Sequence, residues 1–426
     1  MSSSQALVRV GEMLDMYYTD HENCKKQSIP VEYDTRYTQA FTNLASGTSV
    51  FTLPPSQGYR HVVIVLGWTA GTLTGPTAGG VNALQRGWGY QAINQVSFRI
   101  GGSSQYFLTG AQLLARNLRL CRTKEQKNSI LSLGGQQISG GTVATAATTT
   151  AQFAYIPVSI WCPPAEDGIA IPLPSDLLSQ QVQITCQLNP ASAYWLINSS
   201  GTPAPLPAAF DVAYFQVEQL QMKDRGMALA NRINMNEHMY SMPLPTFDQQ
   251  EVVFGNVVTA TPSVAVPLTL TGFRAGEVKK LQIWLEPVVT LANCASTAAQ
   301  SLRWVLPAGV EVLYAGLKYS TYLNGSSAIW NLIDGTSPAA VDQSLLTTSS
   351  TAWASSSSLS QYVELPFAQP TGADYEAEVL VHGKEITNGI VNLNLYMPDT
   401  NTYNVHVVYV YNATVGFSKG SAELIF

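Results

Sequence analysis

The sequence predicts an all-β protein built from β-sandwich or jelly-roll units, and three observations favour this class. Strand-like runs recur between turns rich in glycine and proline, without the strand–helix alternation of a parallel sheet. Charged residues make up 12% of the 426 residues, against about 25% in an average soluble protein, which is too few to solvate a helical protein. Two long low-complexity stretches fall in each half of the chain, which indicates two copies of one architecture.

Composition and charge exclude several classes of protein. Hydrophobic residues make up 46% of the chain and the net charge is only −6, which is typical of a folded chain with a large core. The acidic balance excludes a chain-wide basic surface for nucleic acid. The strongest apolar run, Val62–Leu66, is far shorter than the roughly 18 residues of a membrane-spanning helix. The residues after Met1 do not resemble a secretory signal, so we expect none.

The cysteines predict no disulfide framework. No two are spaced as CxxC and their number is odd, which favours assembly in a reducing compartment. They are Cys24, Cys121, Cys162, Cys186 and Cys294.

The N-terminal segment predicts an amphipathic helix over residues 5–18. Leu7, Val10, Leu14 and Tyr17 are spaced so that they share one face of a helix. This helix either packs on its own domain or forms an arm that docks on a neighbouring subunit or a membrane surface.

From about residue 31 onward the pattern is that of strands. Tyr59–Trp68 is apolar almost throughout, which predicts a strand buried on both faces. Val96–Ile100 alternates and stops at Gly101, which predicts a strand followed by a turn. Further strand-like runs are Phe153–Trp161, Val182–Leu188, Val212–Val217, Val252–Val258, Lys280–Leu285, Val310–Tyr314, Glu376–Val381, Ile390–Tyr396 and Val405–Tyr411.

A charged segment, Glu218–Tyr240, is the best candidate for a domain junction. It carries most of the helical character that follows the N-terminal helix, and strand composition returns at Phe254. The low-complexity stretches on either side of it predict long loops, which usually serve contacts or function. These stretches are Gly134–Gln152, Asn189–Ala209, Leu291–Ser301 and Gly335–Ser360.

The sequence predicts no catalytic residue, no metal site and no cofactor. No two of the five histidines lie within ten residues of each other, so no local metal-binding pair exists. Nucleophile elbows and phosphate-binding glycine loops are absent. The carboxylate pairs Glu166/Asp167 and Glu376/Glu378 lie in a proline-flanked loop and on one strand face, not in the opposed positions of a glycosidase.

One local basic cluster extends from Arg116 to Lys127 within a predicted helix that begins near Ala111. Five basic residues against Glu125 give this segment a charge of +4. Two interpretations remain open: a solvated helix face, or contact with an anionic partner such as lipid headgroups or packaged nucleic acid.

A succession of short motifs resembles the double jelly-roll major capsid proteins of large DNA viruses, virophages, adenoviruses and tailless membrane-containing phages. In the first half these motifs are Gly87–Gly102 with Leu108–Gly110, Tyr155–Trp161, Gly168–Leu173, Val182–Leu188 and the connector Tyr214–Glu218 with Arg225 and Tyr240. In the second half they are Leu268–Phe273, Val278–Trp284, Leu317–Gly325, Gly389–Leu395, Tyr403–Tyr411 and Gly420–Phe426. The sequence departs from large-DNA-virus members at Pro174-Ser175, where those usually carry an aromatic residue and histidine.

The resemblance implies two eight-stranded jelly rolls placed side by side, with short helices and long loops. It implies an N-terminal arm over 1–27, jelly rolls over 28–225 and 240–426, and a connector over 226–239. The expected function is that of a non-enzymatic major capsid protein, which forms pseudo-hexameric homotrimers that tile an icosahedral shell in a virion assembled inside the host cell.

The expected partners are neighbouring capsomers, penton and minor capsid proteins, and an internal membrane that meets the N-terminal helix or the Arg116–Lys127 face. No sequence-specific nucleic acid is expected. Two alternatives are a spike or penton-type adhesin and a β-sandwich carbohydrate-binding protein or glycosidase.

Overall fold

The computed structural model describes the strands and helices of both halves of the chain. The described residues are 31–56, 58–70, 82–84, 86–101, 106–119, 124–136, 151–158, 175, 179–197, 207–222, 240–259, 264–270, 277–287, 307–314, 317–322, 363–366, 384–385, 391–400, 402–418 and 421–425. The predicted helix over 5–18, the strand over 376–381, the stretches Leu291–Ser301 and Gly335–Ser360 and most of Gly134–Gln152 lie outside them. The stretch Asn189–Ala209, predicted as a loop, contains a 3₁₀ turn at Ala191–Ala193 and a short strand at Trp195–Ile197.

The first half contributes strands β1–β10 and helices α1–α3. The strands are β1 Val31–Ala40, β2 Gly47–Thr52, β3 Gly58–Trp68, β4 Asn82–Leu84, β5 Ile93–Ile100, β6 Tyr106–Thr109, β7 Gln152–Pro157, β8 Val182–Leu188, β9 Trp195–Ile197 and β10 Val212–Met222. The helices are α1 Trp88–Ala92, α2 Gly110–Arg119 and α3 Lys124–Leu133, with a 3₁₀ turn at Ala191–Ala193.

The second half contributes strands β11–β20. They are β11 Tyr240–Thr259, β12 Ala265–Leu270, β13 Glu277–Pro287, β14 Gly309–Tyr314, β15 Leu317–Tyr322, β16 Val363–Pro366, β17 Lys384–Glu385, β18 Val391–Tyr396, β19 Thr402–Ser418 and β20 Ser421–Ile425.

Both halves have the same sheet topology. In the first half, sheet A1 has the order β1-β10-β3-β7 and sheet B1 the order β2-β8-β5-β6, while β4 and β9 form a separate ribbon. In the second half, sheet A2 has the order β11-β19-β13-β16, with β17 and β20 added at its sides, and sheet B2 the order β12-β18-β14-β15. Without β4 and β9 in the first half, and without β17 and β20 in the second, each half has eight strands that can be numbered 1 to 8 along the chain. The two sheets of each half then have the strand orders 1-8-3-6 and 2-7-4-5. All pairings are antiparallel, so each half is an eight-stranded jelly roll.

Each half buries its own hydrophobic core between its two sheets. In the first half, the Phe51 ring stacks on Phe215 at 5.0 Å between centroids, and Phe41 meets Phe51 edge-on at 4.8 Å. These contacts join sheets A1 and B1 across the core. In the second half, Leu281, Ile283, Val405 and other aliphatic side chains of A2 pack against B2. Alternation of buried and half-buried residues along β8 and β18 supplies these inward side chains.

Helix α2 begins with a reciprocal capping box. The Thr109 backbone N–H donates to Gln112 Oε1 at 2.8 Å, and the Gln112 backbone N–H donates to Thr109 Oγ1 at 3.3 Å. Two backbone donors that the helix cannot satisfy are thereby paired. The sequence Thr-Gly-Ala-Gln thus fixes where the helix begins.

The Thr109→Ala variant is expected to lose about 1 kcal/mol of folding free energy, because the Gln112 N–H loses its side-chain acceptor. Thermal denaturation followed by circular dichroism measures the loss. Thr48→Ala on the exposed side of β2 is the matched control and should leave the melting temperature unchanged. Equal stability of the two variants would contradict the capping role.

Glycines allow α1 to approach its neighbours closely. The Gly89 N–H donates to the Gly134 carbonyl and the Gly87 N–H to the Gly135 carbonyl, both at 2.8 Å. A Cβ at Gly110 would lie 1.8 Å from the Tyr90 backbone oxygen, so only glycine fits there. These contacts place α1 against both the start of α2 and the end of α3.

The structure corrects the interpretation of the charged junction. Residues Glu218–Met222 belong to strand β10 and not to a helix, and strand structure resumes at Tyr240, before the predicted Phe254. The described helices after the N-terminal segment all lie in the first jelly roll. Glu218 pairs with Arg36 on β1 and with Arg60 on β3 in the strand register, so it lies on a central strand and not in a helical linker.

Candidate functional site

Metal-binding side chains do not cluster in the described part of the chain. No group of three or more His, Cys, Asp or Glu side chains within it could hold a metal ion. The Cys186 thiol is free and fully buried, and this burial raises its pKa. Glu166, Asp167, Glu376 and Glu378 lie outside the described residues.

Ser175 has a structural role that the sequence did not reveal. Its hydroxyl donates to the Ser56 carbonyl at 3.1 Å, accepts from the Ser56 N–H at 2.9 Å, and contacts the Tyr59 hydroxyl. The Tyr59 hydroxyl also donates to the Pro54 carbonyl at 2.5 Å. Ser175 therefore links to the residues just before β3 and to Tyr59 at its start.

The structure corrects one member of the basic cluster from Arg116 to Lys127. Arg116 lies on α2 as predicted, but it is only 3% exposed, so it contributes to neither a solvated face nor an anion-binding surface. The cluster is divided between α2 and α3. The side chains of its other basic residues lie outside the described part of the chain.

The outer face of sheet A2 is buried at one end and half-exposed at the other. Three cross-strand pairs of β13 and β19 form it: Gln282 with Val408, Trp284 with His406, and Glu286 with Asn404. Trp284 and Val408 are fully buried, and they belong to the hydrophobic cluster of the first jelly roll. This face is therefore the seam between the two halves.

Three polar side chains, His406, Glu286 and Asn404, lie together at the half-exposed end of the seam. The His406 ring stacks on Trp284 with 5.1 Å between centroids and an interplanar angle of 12°. His406 Nε2 lies 2.8 Å from Glu286 Oε2 and 3.2 Å from Asn404 Nδ2. His406 is therefore held by ring stacking and by its polar neighbours at the edge of the seam.

The outer face of sheet A1 carries an apolar, partly open patch next to the charged Glu218. It also consists of three rows, in which β10 and β3 pair Gln216 with Val63, Tyr214 with Val65, and Val212 with Gly67. On the edge strand β7, Tyr155 pairs with Val65 and is 43% exposed. We call Val63, Val65, Phe153, Tyr155 and Tyr214 the aromatic face.

The outer faces of sheets B1 and B2 are polar but almost uncharged. On B1, Val50, Thr185, Ser97 and Phe107 form one row across all four strands, and Arg99 is the one charged side chain among the described residues of this face. On B2, Glu311 accepts a hydrogen bond from Asn394 at 3.1 Å, and Lys318 pairs with Leu313 in the strand register. Val50 is 46% exposed and Phe107 48%. Such faces can be buried without desolvating many ions.

Comparison with solved structures identifies the fold. The chain aligns with the PBCV-1 virus capsid over 95% of its own length and 98% of the other chain, with 11% identity and a TM-score of 0.65. It aligns with the Sputnik virophage structure over 95% and 91% (14% identity, TM-score 0.58). It aligns with the Faustovirus major capsid protein over 98% of both chains (9% identity, TM-score 0.57).

The chain has the double jelly-roll fold. The fold class expected from the sequence motifs is thereby confirmed over nearly the whole chain. No protein-family model matches the sequence, and no curated protein matches it. Within the described residues, no helix combines the length and the apolar character needed to cross a membrane.

Proposed function

We propose that this double jelly-roll protein is a viral major capsid protein, a non-enzymatic building block of the virion shell. The observation that carries the proposal is the extent of the structural likeness: the matched capsid proteins are covered over 91% or more of their own length. A spike with one shell-embedded jelly roll and an unrelated head would share only part of that length. The repeated topology of the two halves supports the same conclusion.

The functional unit in this proposal is a homotrimer of two-domain subunits. The domains are 28–225 and 240–426, joined by a connector over 226–239. Three copies supply six jelly rolls, which gives a pseudo-hexagonal block that can tile an icosahedral shell. The nearly uncharged outer faces of B1 and B2 suit surfaces that neighbouring capsomers cover.

Negative-stain electron microscopy of the purified full-length protein tests this function. Trimeric particles with a hexagonal outline are the expected result, supported by a trimer mass in sedimentation. A stable, well-folded monomer at micromolar concentration would refute the proposal.

The N-terminal segment, residues 1–27, is proposed to lie at the base of the subunit, facing the shell interior. A helix of about 14 residues is marginal alone in water, so it needs a surface to pack on. Its own barrel, a neighbouring capsomer or an internal membrane could provide that surface. Penton and minor capsid proteins complete the proposed set of partners.

Deletion of residues 2–20 separates these roles. If the arm acts between capsomers or against a membrane, trimers will form normally while assembly into closed particles fails. Sedimentation measures the trimer, and electron microscopy counts the particles. Particles that assemble as in the intact chain would contradict an assembly role for the arm.

A further inference from the structure

We infer that protonation of His406 strengthens the seam between the two jelly rolls of a single chain. At this seam, Trp284 and Val408 on the outer face of sheet A2 are buried in the hydrophobic cluster of the first jelly roll. The inference concerns the folded chain by itself. It therefore goes beyond the proposed function and does not depend on assembly.

His406 stacks on the side chain that crosses the seam. Its ring is nearly parallel to that of Trp284, with 5.1 Å between the ring centroids. At this distance an imidazolium gains a cation–π attraction to the indole face that a neutral imidazole lacks. Protonation therefore holds His406 more tightly against Trp284, whose removal from the first jelly roll would open the seam.

Glu286 supplies a second attraction for the protonated ring. Its Oε2 lies 2.8 Å from His406 Nε2, and the two side chains are 26% and 18% exposed. Water therefore screens the pair only in part, while a proton can still reach the ring. With a neutral ring the contact is a hydrogen bond alone, and with a protonated ring it is an ion pair as well.

Glu286 is the one charged group in contact with His406 among the described residues. Strand β11 places Gly255 opposite His406 and Val257 opposite Asn404, and both are uncharged. The Asn404 amide can present either its oxygen or its nitrogen to the ring, so it suits both charge states. The side chains of His406 and Glu286 have no further ion pair or electrostatic interaction with any described residue, those of the first jelly roll included.

The direction of the pH dependence follows from these contacts. Histidine changes its charge between about pH 5 and 8, whereas glutamate is ionised throughout that range. The unfolded chain has neither the stacked indole nor the fixed carboxylate, so only the folded state gains from protonation of the ring. The added stability is therefore present in mild acid and is lost as the pH rises through this range.

Glu286→Gln tests the inference, because it removes the charge and keeps the shape of the side chain. We expect its loss of melting temperature to be at least about 2 °C larger at about pH 5.5 than at about pH 8, the effect of one partly buried charge pair. Glu311→Gln is the matched control, since Glu311 is hydrogen-bonded to the amide of Asn394. Its effect should be the same at both pH values, because that partner does not titrate.

His406→Gln is the second variant, and it identifies the titrating group. At about pH 5.5 the double variant with Glu286→Gln should lose less melting temperature than the sum of the two single losses, and at about pH 8 the losses should be more nearly additive. Both side chains are partly exposed, so we expect all the variants to fold.

Hydrogen exchange shows whether the effect crosses the seam. At about pH 5.5, Glu286→Gln should raise exchange in strands β3 and β10 of the first jelly roll, although Glu286 itself lies in the second. Comparing variant and wild type at the same pH removes the intrinsic pH dependence of exchange.

A larger effect of Glu286→Gln in acid, non-additive losses there and faster exchange in the first jelly roll would together support the inference. Equal effects of Glu286→Gln at the two pH values would overturn it. Additive losses at about pH 5.5 would also overturn it, because another group would then be titrating. Exchange that rises in the second jelly roll alone would overturn it by confining the pair's effect to sheet A2. None of these outcomes changes the proposed function, which is tested by the trimer.

Discussion

Replacing Gly110 with alanine is expected to lower the melting temperature of the protein by at least about 6 °C, at about 2–4 °C for each kcal/mol in a domain of this size. The new Cβ would lie 1.8 Å from the backbone oxygen of Tyr90 and 2.6 Å from that of Ile93. Because both atoms belong to the backbone, no side-chain rotation relieves the clash. Overpacking of this kind costs about 1–3 kcal/mol, and more where the neighbours cannot move.

The neighbours of Gly110 are held firmly. Helix α1 carries Trp88, whose ring lies 5.1 Å from that of Trp68 and 6.1 Å from that of Phe210, in a buried aromatic cluster that also includes Tyr194. Moving α1 away from α2 would disturb this cluster, so the strain is not easily dispersed.

The direction of the stability change in Gly110→Ala separates the steric clash from helix propensity. Helix propensity alone favours alanine over glycine by about 1 kcal/mol, so without the close contact the Gly110→Ala variant would gain stability. Ala111→Gly is the matched control; it should lose only about 1 kcal/mol or slightly more, since Ala111 is half-buried. Differential scanning calorimetry measures both variants. A Gly110→Ala protein as stable as the wild type would contradict the observed approach of α1 to α2.

Replacing Trp284 with alanine is expected to cost about 3–5 kcal/mol and to uncouple the two jelly rolls. Trp284 is fully buried and packs into the core of the other jelly roll, so its removal leaves a cavity at the seam. His406 would lose the ring on which it stacks. Calorimetry should then resolve two transitions where the intact protein shows coupled unfolding.

Leu285→Ala is the control for this prediction. Leu285 is the next residue on β13 and is equally buried, but it points into the core of the second jelly roll. Hydrogen exchange should rise in the second jelly roll alone for Leu285→Ala, and in both jelly rolls for Trp284→Ala. Unchanged exchange in strands β3 and β10 of Trp284→Ala would show that the seam does not stabilise the first jelly roll.

The strands could be predicted from sequence where hydrophobic periodicity and burial coincide. Val182–Leu188 matches β8 to the residue, because its buried and half-buried side chains alternate without interruption. The apolar run before Trp68 correctly indicated a strand buried on both faces, since Val65 on the outer face is as buried as Ile64 on the inner one. Local pattern is sufficient for such strands.

The errors arose where tertiary contacts override local composition. Arg116 looked like part of a solvated helix face, but its helix packs so that the side chain is buried. Glu218 suggested a helical junction, although it belongs to a long strand that pairs with two others. Local composition is a weak predictor of where a residue lies, because long-range packing overrides it.

The seam was beyond sequence reasoning for a related reason. The run Lys280–Leu285 correctly predicted a strand, but alternation cannot say that Ile283 and Trp284 belong to different cores. That assignment depends on how two separately folded sheets pack, which no local pattern encodes.

The scarcity of charge on the outer faces of B1 and B2 has a kinetic consequence. Attraction between opposite charges can raise association rates from about 10⁵–10⁶ M⁻¹s⁻¹ to about 10⁸ M⁻¹s⁻¹ or more, and salt removes this gain. The charged residues of these faces among the described strands are Arg99 on B1 and Glu311 and Lys318 on B2, so the faces have little to gain from such steering. Copies that meet through these faces would associate slowly, at rates nearly independent of ionic strength. The rate of assembly would then depend on the subunit concentration more than on the salt concentration of the medium.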